Sequence, residues 1–228
     1  MSLVEVFYPG NQKKREHCVR LMQEIYSAME RNFDATNDLI KIMHTHLKLQ
    51  CDPLVLFKGK TIQENAENFS QKIREIQDLL RRPLQKCVNK IDPYIYKMLT
   101  SEELELSSIY EYLRIGGKTL DFGAQILLLS VAVAKTILHT VRKIVTRLGR
   151  LWVGTIILGV LLAGAIYSAI VGARERAMLE STEKELQGVV DTFVPESLRY
   201  TKEINRLEFK IEALQVNAVF HRLVYYVF

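Results

Sequence analysis

The sequence lacks the residue patterns that are typical of enzymes and of metal-binding proteins. Its 228 residues contain no Ser–His–Asp motif, no phosphate-binding loop and no dinucleotide-binding fingerprint. The three cysteines, Cys18, Cys51 and Cys87, are too widely spaced for a zinc site or a disulfide framework. His44 and His46 are two residues apart, so on a helix they point in different directions and do not form a metal-binding pair. We therefore predict no enzymatic activity, no catalytic, cofactor-binding or metal-binding residues, and no small-molecule substrate.

The central part of the chain lacks acidic side chains, because no aspartate or glutamate occurs between Phe122 and Ala173. Within it, residues 151–173 (LWVGTIILGVLLAGAIYSAIVGA) also lack lysine, arginine and histidine. As a helix this segment would be roughly 34 Å long, enough to cross a hydrocarbon core of about 30 Å. Trp152 at one edge suits the membrane–water boundary. We predict a transmembrane helix over residues 151–173 and keep a buried core helix as the alternative.

Basic residues cluster just before this segment: Lys135, Arg142, Lys143, Arg147 and Arg150. Next to a membrane span such a cluster predicts attraction to anionic lipid, so the lipid bilayer is the expected partner. Nucleic-acid binding is not predicted, because no binding motif or interleaved aromatic residues accompany the cluster. By the positive-inside rule, a single crossing would leave residues 1–150 in the cytoplasm and residues 174–228 on the other side.

Long helices are predicted on both sides of the apolar segment. Residues 11–50 contain no glycine or proline, and their apolar side chains recur about every 3.6 residues, as in an amphipathic helix. This row is Cys18, Met22, Ile25, Met29, Phe33, Thr36, Ile40, Met43 and Leu47. Thr61 and Glu64 form a capping box that begins a second helix, which Pro83 is expected to kink or interrupt near Leu79. An antiparallel hairpin with a loop of about ten residues would bury both stripes. A further helical stretch is predicted over residues 94–115.

Residues 119–141 are ambiguous. Their apolar side chains favour a bilayer, but Lys135 near the middle opposes insertion by roughly 2.5–3.5 kcal/mol. Lys135, His139 and Arg142 recur at helical spacing and suggest one polar stripe. We therefore favour a helix that lies in the membrane interface or packs on the span over a second full crossing.

A heptad pattern follows the apolar segment, although Gly188 and Pro195 are expected to weaken the helix there. It consists of Ser197, Tyr200, Ile204, Leu207, Ile211, Leu214 and Ala218. The alternation of isoleucine and leucine suits a two-stranded coiled coil, and packing within the chain explains it almost as well. The apolar tail, residues 223–228, requires a surface, which could be the membrane, the bundle or a partner. Small residues at every fourth position of the span favour further helix–helix association.

These patterns predict an all-α protein in which long amphipathic helices form a hairpin or bundle around one transmembrane helix. Residues 1–117 would be an N-terminal helical, coiled-coil-like region, and residues 118–150 an apolar and basic juxtamembrane segment. The transmembrane helix would occupy residues 151–173, and residues 174–228 would form a C-terminal helical coiled-coil region.

Three stretches are distinctive as sequence: residues 7–11 (FYPGN), residues 32–39 (NFDATNDL) and residues 59–65 (GKTIQEN). In these stretches the chain resembles the single-pass membrane and coiled-coil domain-containing proteins. The resemblance is clearest over residues 6–115, and beyond them it rests on one late span followed by a helical tail. It implies a small membrane protein with coiled-coil helices and no established biochemical activity, and it transfers no site residues.

Two functions fit these expectations. The leading hypothesis is a non-enzymatic, single-pass membrane protein that acts through helix–helix association as a tether, scaffold or adaptor. It would form homo- or hetero-oligomers through its coiled-coil and transmembrane helices. The alternative is an α-helical protein that permeabilises or remodels membranes, because long polar helices also flank a central apolar segment in helical pore formers.

Overall fold

The computed structural model describes residues 10–86, 126–142 and 173–227, and within these ranges it contains four helices and no strand. Helix α1 is Gly10–Leu47, α2 is Ile62–Lys86, α3 comprises residues 126–142, and α4 is Ala173–Val227. The predicted all-α helical bundle is thus confirmed for the described ranges. The predicted helix over residues 94–115 and residues 151–172 of the predicted span lie outside them. None of the described helices combines the length and the apolar character needed to cross a bilayer.

The chain forms two compact units, each assembled from three separate parts of the sequence. Unit 1 contains Met1–Asp34, Leu54–Gln71 and Val145–Thr201. Unit 2 contains Ala35–Pro53, Lys72–Ile144 and Lys202–Phe228. Helices α1, α2 and α4 each contribute one part to each unit.

Helix α1 buries a wider face than the single predicted row. Seven of the nine predicted side chains are buried, and Met22 and Leu47 are partly exposed. A second row is also buried: Leu21, Ala28, Asn32, Ala35, Leu39 and Ile42. Two adjacent buried rows indicate that α1 packs against more than one neighbouring element. The helix ends at Lys48, whose φ of 54° and N–H bond to the His44 carbonyl (3.1 Å) form an αL cap.

The predicted capping box of α2 is confirmed. The Thr61 N–H donates to Glu64 Oε2 (2.8 Å), and the Glu64 N–H donates to Thr61 Oγ1 (3.2 Å). These reciprocal bonds satisfy two backbone donors that the first helical turn cannot pair. Pro83 does not interrupt α2, which continues to Lys86. The loss of one backbone donor at Pro83 is outweighed by the burial of the preceding turn, in which Leu79 and Leu80 are buried.

The antiparallel hairpin predicted for α1 and α2 is wrong, because the connector is not a short loop. In unit 2, Cys51 follows the end of α1 by four residues and already lies beside Lys72 and Glu75, in the third and fourth turns of α2. In a hairpin, the chain leaving α1 would first meet the N-terminal turn of α2. The connector comprises residues 48–61, and only its last residues lie next to the first turn of α2.

In unit 1, side chains of α2 hold the connector in place. The Asn68 side-chain amide donates to the Val55 carbonyl (3.0 Å). The fully buried Asn65 accepts from the Phe57 N–H (3.0 Å) and donates to the Phe57 carbonyl (3.0 Å). The same amide donates to the Thr61 carbonyl (3.1 Å). Asn65 therefore supplies the partners that a buried, non-helical backbone requires.

Helix α4 is continuous over 55 residues, although Gly188 and Pro195 were expected to weaken it. Its buried side chains alternate at spacings of four and three: Leu186, Val190, Phe193, Ser197, Tyr200, Ile204, Leu207, Ile211 and Leu214. We call this row the α4 seam. Phe193 and Ser197 are fully buried on either side of Pro195, so tertiary packing holds the helix together across the missing donor. The seam is buried within the chain itself, which favours the intramolecular explanation of the heptad pattern.

Candidate functional site

The described residues contain no group of three or more histidine, cysteine, aspartate or glutamate side chains that could hold a metal ion. Five features of the described residues could carry a function: an ion-pair cluster and a buried core in unit 1, and a cleft, a buried helix and an exposed apolar face in unit 2.

An ion-pair cluster joins the beginnings of α1 and α4 in unit 1. Lys14 Nζ lies 3.3 Å from Glu183 Oε2 and 3.4 Å from Glu180 Oε1. His17 Nε2 lies 3.5 Å from the other oxygen of Glu183. Arg176 Nε lies 3.1 Å from Glu180 Oε1. We call these five residues the N-terminal clasp; no local sequence pattern predicts it, because the pairs that join α1 to α4 are more than 160 positions apart.

The clasp is a surface feature, and its charges stabilise one another. The hydrogen bond to Glu183 raises the pKa of Lys14 above its usual range. The hydrogen bond from Arg176, together with the charge of Lys14, lowers the pKa of Glu180. Because these side chains are at least partly exposed to solvent, each pair contributes little to stability, and the clasp mainly selects which faces of α1 and α4 meet.

Beneath the clasp, α1 and α4 share a buried core with α2. The Ser197 hydroxyl, fully buried, donates to the Ala28 carbonyl (2.8 Å). The Phe33 and Phe69 rings have centroids 5.8 Å apart, and Tyr200 meets Phe69 edge-on at 6.3 Å. Tilted and edge-on ring pairs are favourable geometries for aromatic side chains. The α1–α4 contact is therefore part of the core of unit 1.

A cleft of about 900 Å³ lies in unit 2 next to the connector, and its lining includes Asn37, His44, Cys51, Asp52 and Glu75. Burial raises the pKa of the Cys51 thiol to about 11, so the reactive thiolate is disfavoured. The hydrogen bond from Lys72 (2.7 Å) lowers the pKa of Glu75. The Cys51 thiol itself donates to Glu75 (3.5 Å). The cleft thus has a polar wall but no activated nucleophile.

Cys18 and Asn68 have structural roles. Burial raises the pKa of the Cys18 thiol, which lies in the core of unit 1 and is not activated. Asn68 of the formal glycosylation acceptor Asn68-Phe69-Ser70 lies within α2, where its side-chain amide bonds the Val55 carbonyl. Phe69 is buried and the Asn68 amide is engaged, so this stretch has a structural role in α2.

Helix α3 of unit 2 is buried on every face, because all seven residues from 131 to 137 are buried. The predicted polar stripe is not exposed as one surface: Lys135 is only 8% exposed, whereas His139 and Arg142 are exposed. Hydroxyl groups bond within the helix, since Thr136 donates to the Ala132 carbonyl (2.8 Å) and Thr140 to the Thr136 carbonyl (2.9 Å). The Thr136 and Thr140 hydroxyls therefore have hydrogen-bond partners without water or a second helix.

Helix α4 also exposes apolar side chains in unit 2. Phe209 is 73% exposed and Val216 is 64% exposed. They are seven residues apart and face away from the buried Ile211 and Leu214. This outer face therefore presents two exposed apolar side chains that another helix could contact.

No family model matches the chain, and no solved structure matches it.

Proposed function

We propose that the chain is a non-enzymatic membrane protein in which a bundle of long helices shields a central apolar segment and inserts it into a lipid bilayer. The observation that carries this proposal is the burial of residues 131–137 on every face of α3. Apart from Lys135, the side chains of this stretch are aliphatic or, at Thr136, carry a hydroxyl that bonds within the helix, and a largely apolar helix of this kind belongs in a protein core or in a membrane. In the structure the protein covers α3, and lipid could replace that cover without leaving the Thr136 and Thr140 hydroxyls unpaired.

The segment that follows α3 supports the same proposal. Residues 151–173 carry no charged side chain and match the thickness of a bilayer. We propose that these residues enter the hydrocarbon core and that the preceding basic cluster contacts anionic headgroups. The resemblance to the single-pass membrane and coiled-coil domain-containing proteins agrees with a membrane protein and adds no catalytic activity.

A second candidate function is a permanently anchored tether, scaffold or adaptor. The outer face of α4 favours it, because Phe209 and Val216 are exposed and available to another helix. The α4 seam does not contribute to this function, since the chain itself buries it. Under this candidate, homo- or hetero-oligomers would form through the outer face and through small residues of the segment 151–173.

Dye release from liposomes separates the two functions. We expect the purified chain to release dye from anionic liposomes and then to resist extraction by alkaline carbonate. Leu158→Arg places a charge in the segment 151–173 and opposes insertion by roughly 2.5–3.5 kcal/mol, so dye release should be lost. Val19→Arg is the matched control, because Val19 is half exposed on α1 and lies outside the apolar segment.

The results of dye release and carbonate extraction together distinguish the two candidate functions. Carbonate resistance with no dye release would favour the permanent anchor. Complete extraction by carbonate together with no dye release would contradict both membrane functions. Equal effects of the two arginine variants would show that charge alone, and not its position in the apolar segment, governs the release.

A further inference from the structure

Helices α1 and α4 run side by side in the same direction in unit 1. Lys14 pairs with Glu183, and Ala28 accepts a hydrogen bond from Ser197; the separation in sequence is 169 residues in both cases. A constant offset over fourteen residues, about 21 Å of helix, is the mark of two parallel helices in a fixed register.

This contact reaches the core of unit 1. Ser197 and the rings of Phe33, Phe69 and Tyr200 are all buried. Separating α1 from α4 would expose these side chains and leave the Ser197 hydroxyl without its partner on α1. The two helices therefore form one packed body, and the N-terminal clasp closes its end.

The clasp lies close to the point where α4 begins. Helix α4 starts at Ala173, the last residue of the apolar segment, and Arg176, Glu180 and Glu183 lie in its first three turns. Lys14 Nζ is 3.3 Å from Glu183. A bilayer placed between α1 and α4 would have to separate these atoms by the roughly 30 Å of its hydrocarbon core.

We infer that α1 and α4 lie on the same face of the bilayer, so that the chain between them enters and leaves the membrane through that one face. This inference rests on the proposed insertion of the central segment. It replaces the predicted single crossing with residues 1–150 and 174–228 on opposite sides, because that arrangement cannot keep the N-terminal clasp. The lipid bilayer remains the expected partner of the central segment, which enters it and leaves it on the same side.

Zero-length carbodiimide cross-linking tests the inference on the full chain in anionic liposomes. The reagent joins a lysine to a carboxylate only when the two are in contact, as Lys14 is with Glu180 and Glu183. We expect a Lys14–Glu180 or Lys14–Glu183 peptide in the carbonate-resistant membrane fraction. Lys14→Gln should remove it, and the Lys41–Asp38 pair within α1, at 2.8 Å, is the internal positive control.

The readout separates failure of the inference from failure of the proposed function. Carbonate-resistant chains that yield the Lys41–Asp38 product but none with Lys14 would overturn the inference and leave membrane insertion intact. Chains that carbonate extracts completely would overturn the proposed function and the inference with it. A mixture of isotopically labelled and unlabelled chains identifies cross-links between copies, and a product found only between copies would also overturn the inference.

Discussion

The two units bury polar groups in different ways. In unit 1 two buried polar groups join separate elements: Asn65 holds the connector, and Ser197 bonds α4 to α1. In the α3 helix of unit 2, the hydroxyls of Thr136 and Thr140 bond only to their own helix. Bonds between elements specify position, whereas burial of aliphatic surface is non-directional. The bonds of unit 1 therefore fix the positions of its elements relative to one another. The hydroxyl bonds of α3 do not depend on what surrounds the helix.

The largest expected effect tests the aromatic core of unit 1. Phe69→Ala removes a buried ring that contacts both Phe33 and Tyr200, and we expect it to lower the free energy of unfolding by about 3–5 kcal/mol. Urea unfolding followed by circular dichroism measures the change. Phe209→Ala, at an exposed phenylalanine of α4, is the matched control and should change stability by less than about 0.5 kcal/mol. Similar losses in both variants would contradict the burial of Phe69.

A second pair of variants tests the burial of α3 in unit 2. Ile137→Ala leaves a cavity at a fully buried position, and we expect a loss of about 2–5 kcal/mol in the free energy of unfolding. Ile126→Ala removes the same atoms from the same helix at a half-exposed position and should cost far less. Thermal or urea unfolding measures both. If the two losses were equal, α3 would not be enclosed by the protein.

A third pair separates the two kinds of hydroxyl bond directly. Ser197→Ala removes a bond between helices and should lower the free energy of unfolding by about 0.5–1.5 kcal/mol. Thr136→Val removes a bond within α3, keeps the side-chain shape, and should change stability by less than about 0.5 kcal/mol. Hydrogen exchange should show faster opening of residues 173–201 only in Ser197→Ala. A larger loss of stability in Thr136→Val than in Ser197→Ala would contradict the difference between the two units.

The smallest effect is expected at the N-terminal clasp. Lys14→Gln should lower the free energy of unfolding only slightly, because the pairs are screened by solvent, and added salt should reduce the difference. Because the pKa of Glu180 is lowered in the folded state, its contribution is present above the unfolded pKa and is lost as pH falls through the folded pKa. The raised pKa of Lys14 gives a contribution that is lost only as pH rises through the folded value.

The difference between the parent chain and Lys14→Gln should therefore be larger at neutral pH than in acid. Urea unfolding at both pH values measures it. Lys13→Gln is the control, because it removes the same charge at the neighbouring exposed position of α1. An effect of Lys13→Gln as large as that of Lys14→Gln would show that net charge, and not the clasp, stabilises the chain.

Periodicity and capping predicted the helices well. The start of α2 follows from Thr61 and Glu64 alone, since a capping box acts within one turn. The buried row of α1 follows from its spacing, because seven of its nine members are buried. By contrast, the heptad pattern was predicted only from Ser197 onward, because Gly188 and Pro195 were expected to weaken the helix. The buried side chains of Leu186, Val190 and Phe193 have the same spacing as the later members of the α4 seam. Local propensity was overridden by packing along the whole helix.

Contacts between distant residues could not be predicted from one sequence. The N-terminal clasp and the Ser197–Ala28 bond join positions 169 or so residues apart, and no local pattern specifies such pairs. The course of the connector depends on Asn65, whose position in a helix gave no sign that its amide reaches Phe57. The polar stripe predicted from Lys135, His139 and Arg142 is exposed only at His139 and Arg142, because Lys135 lies within the turns of α3 that are buried on every face.

The shared register of α1 and α4 also limits how the length of either helix can change. One inserted residue turns everything beyond it by about 100°, whereas seven inserted residues come close to two whole turns. Single-residue insertions between Lys14 and Ala28 would therefore rotate one contact away from its partner while the other remained. Seven inserted residues restore the orientation but move the two contact points about 10 Å further apart along α1, so such an insertion should be tolerated only when α4 gains seven residues between Glu183 and Ser197 as well.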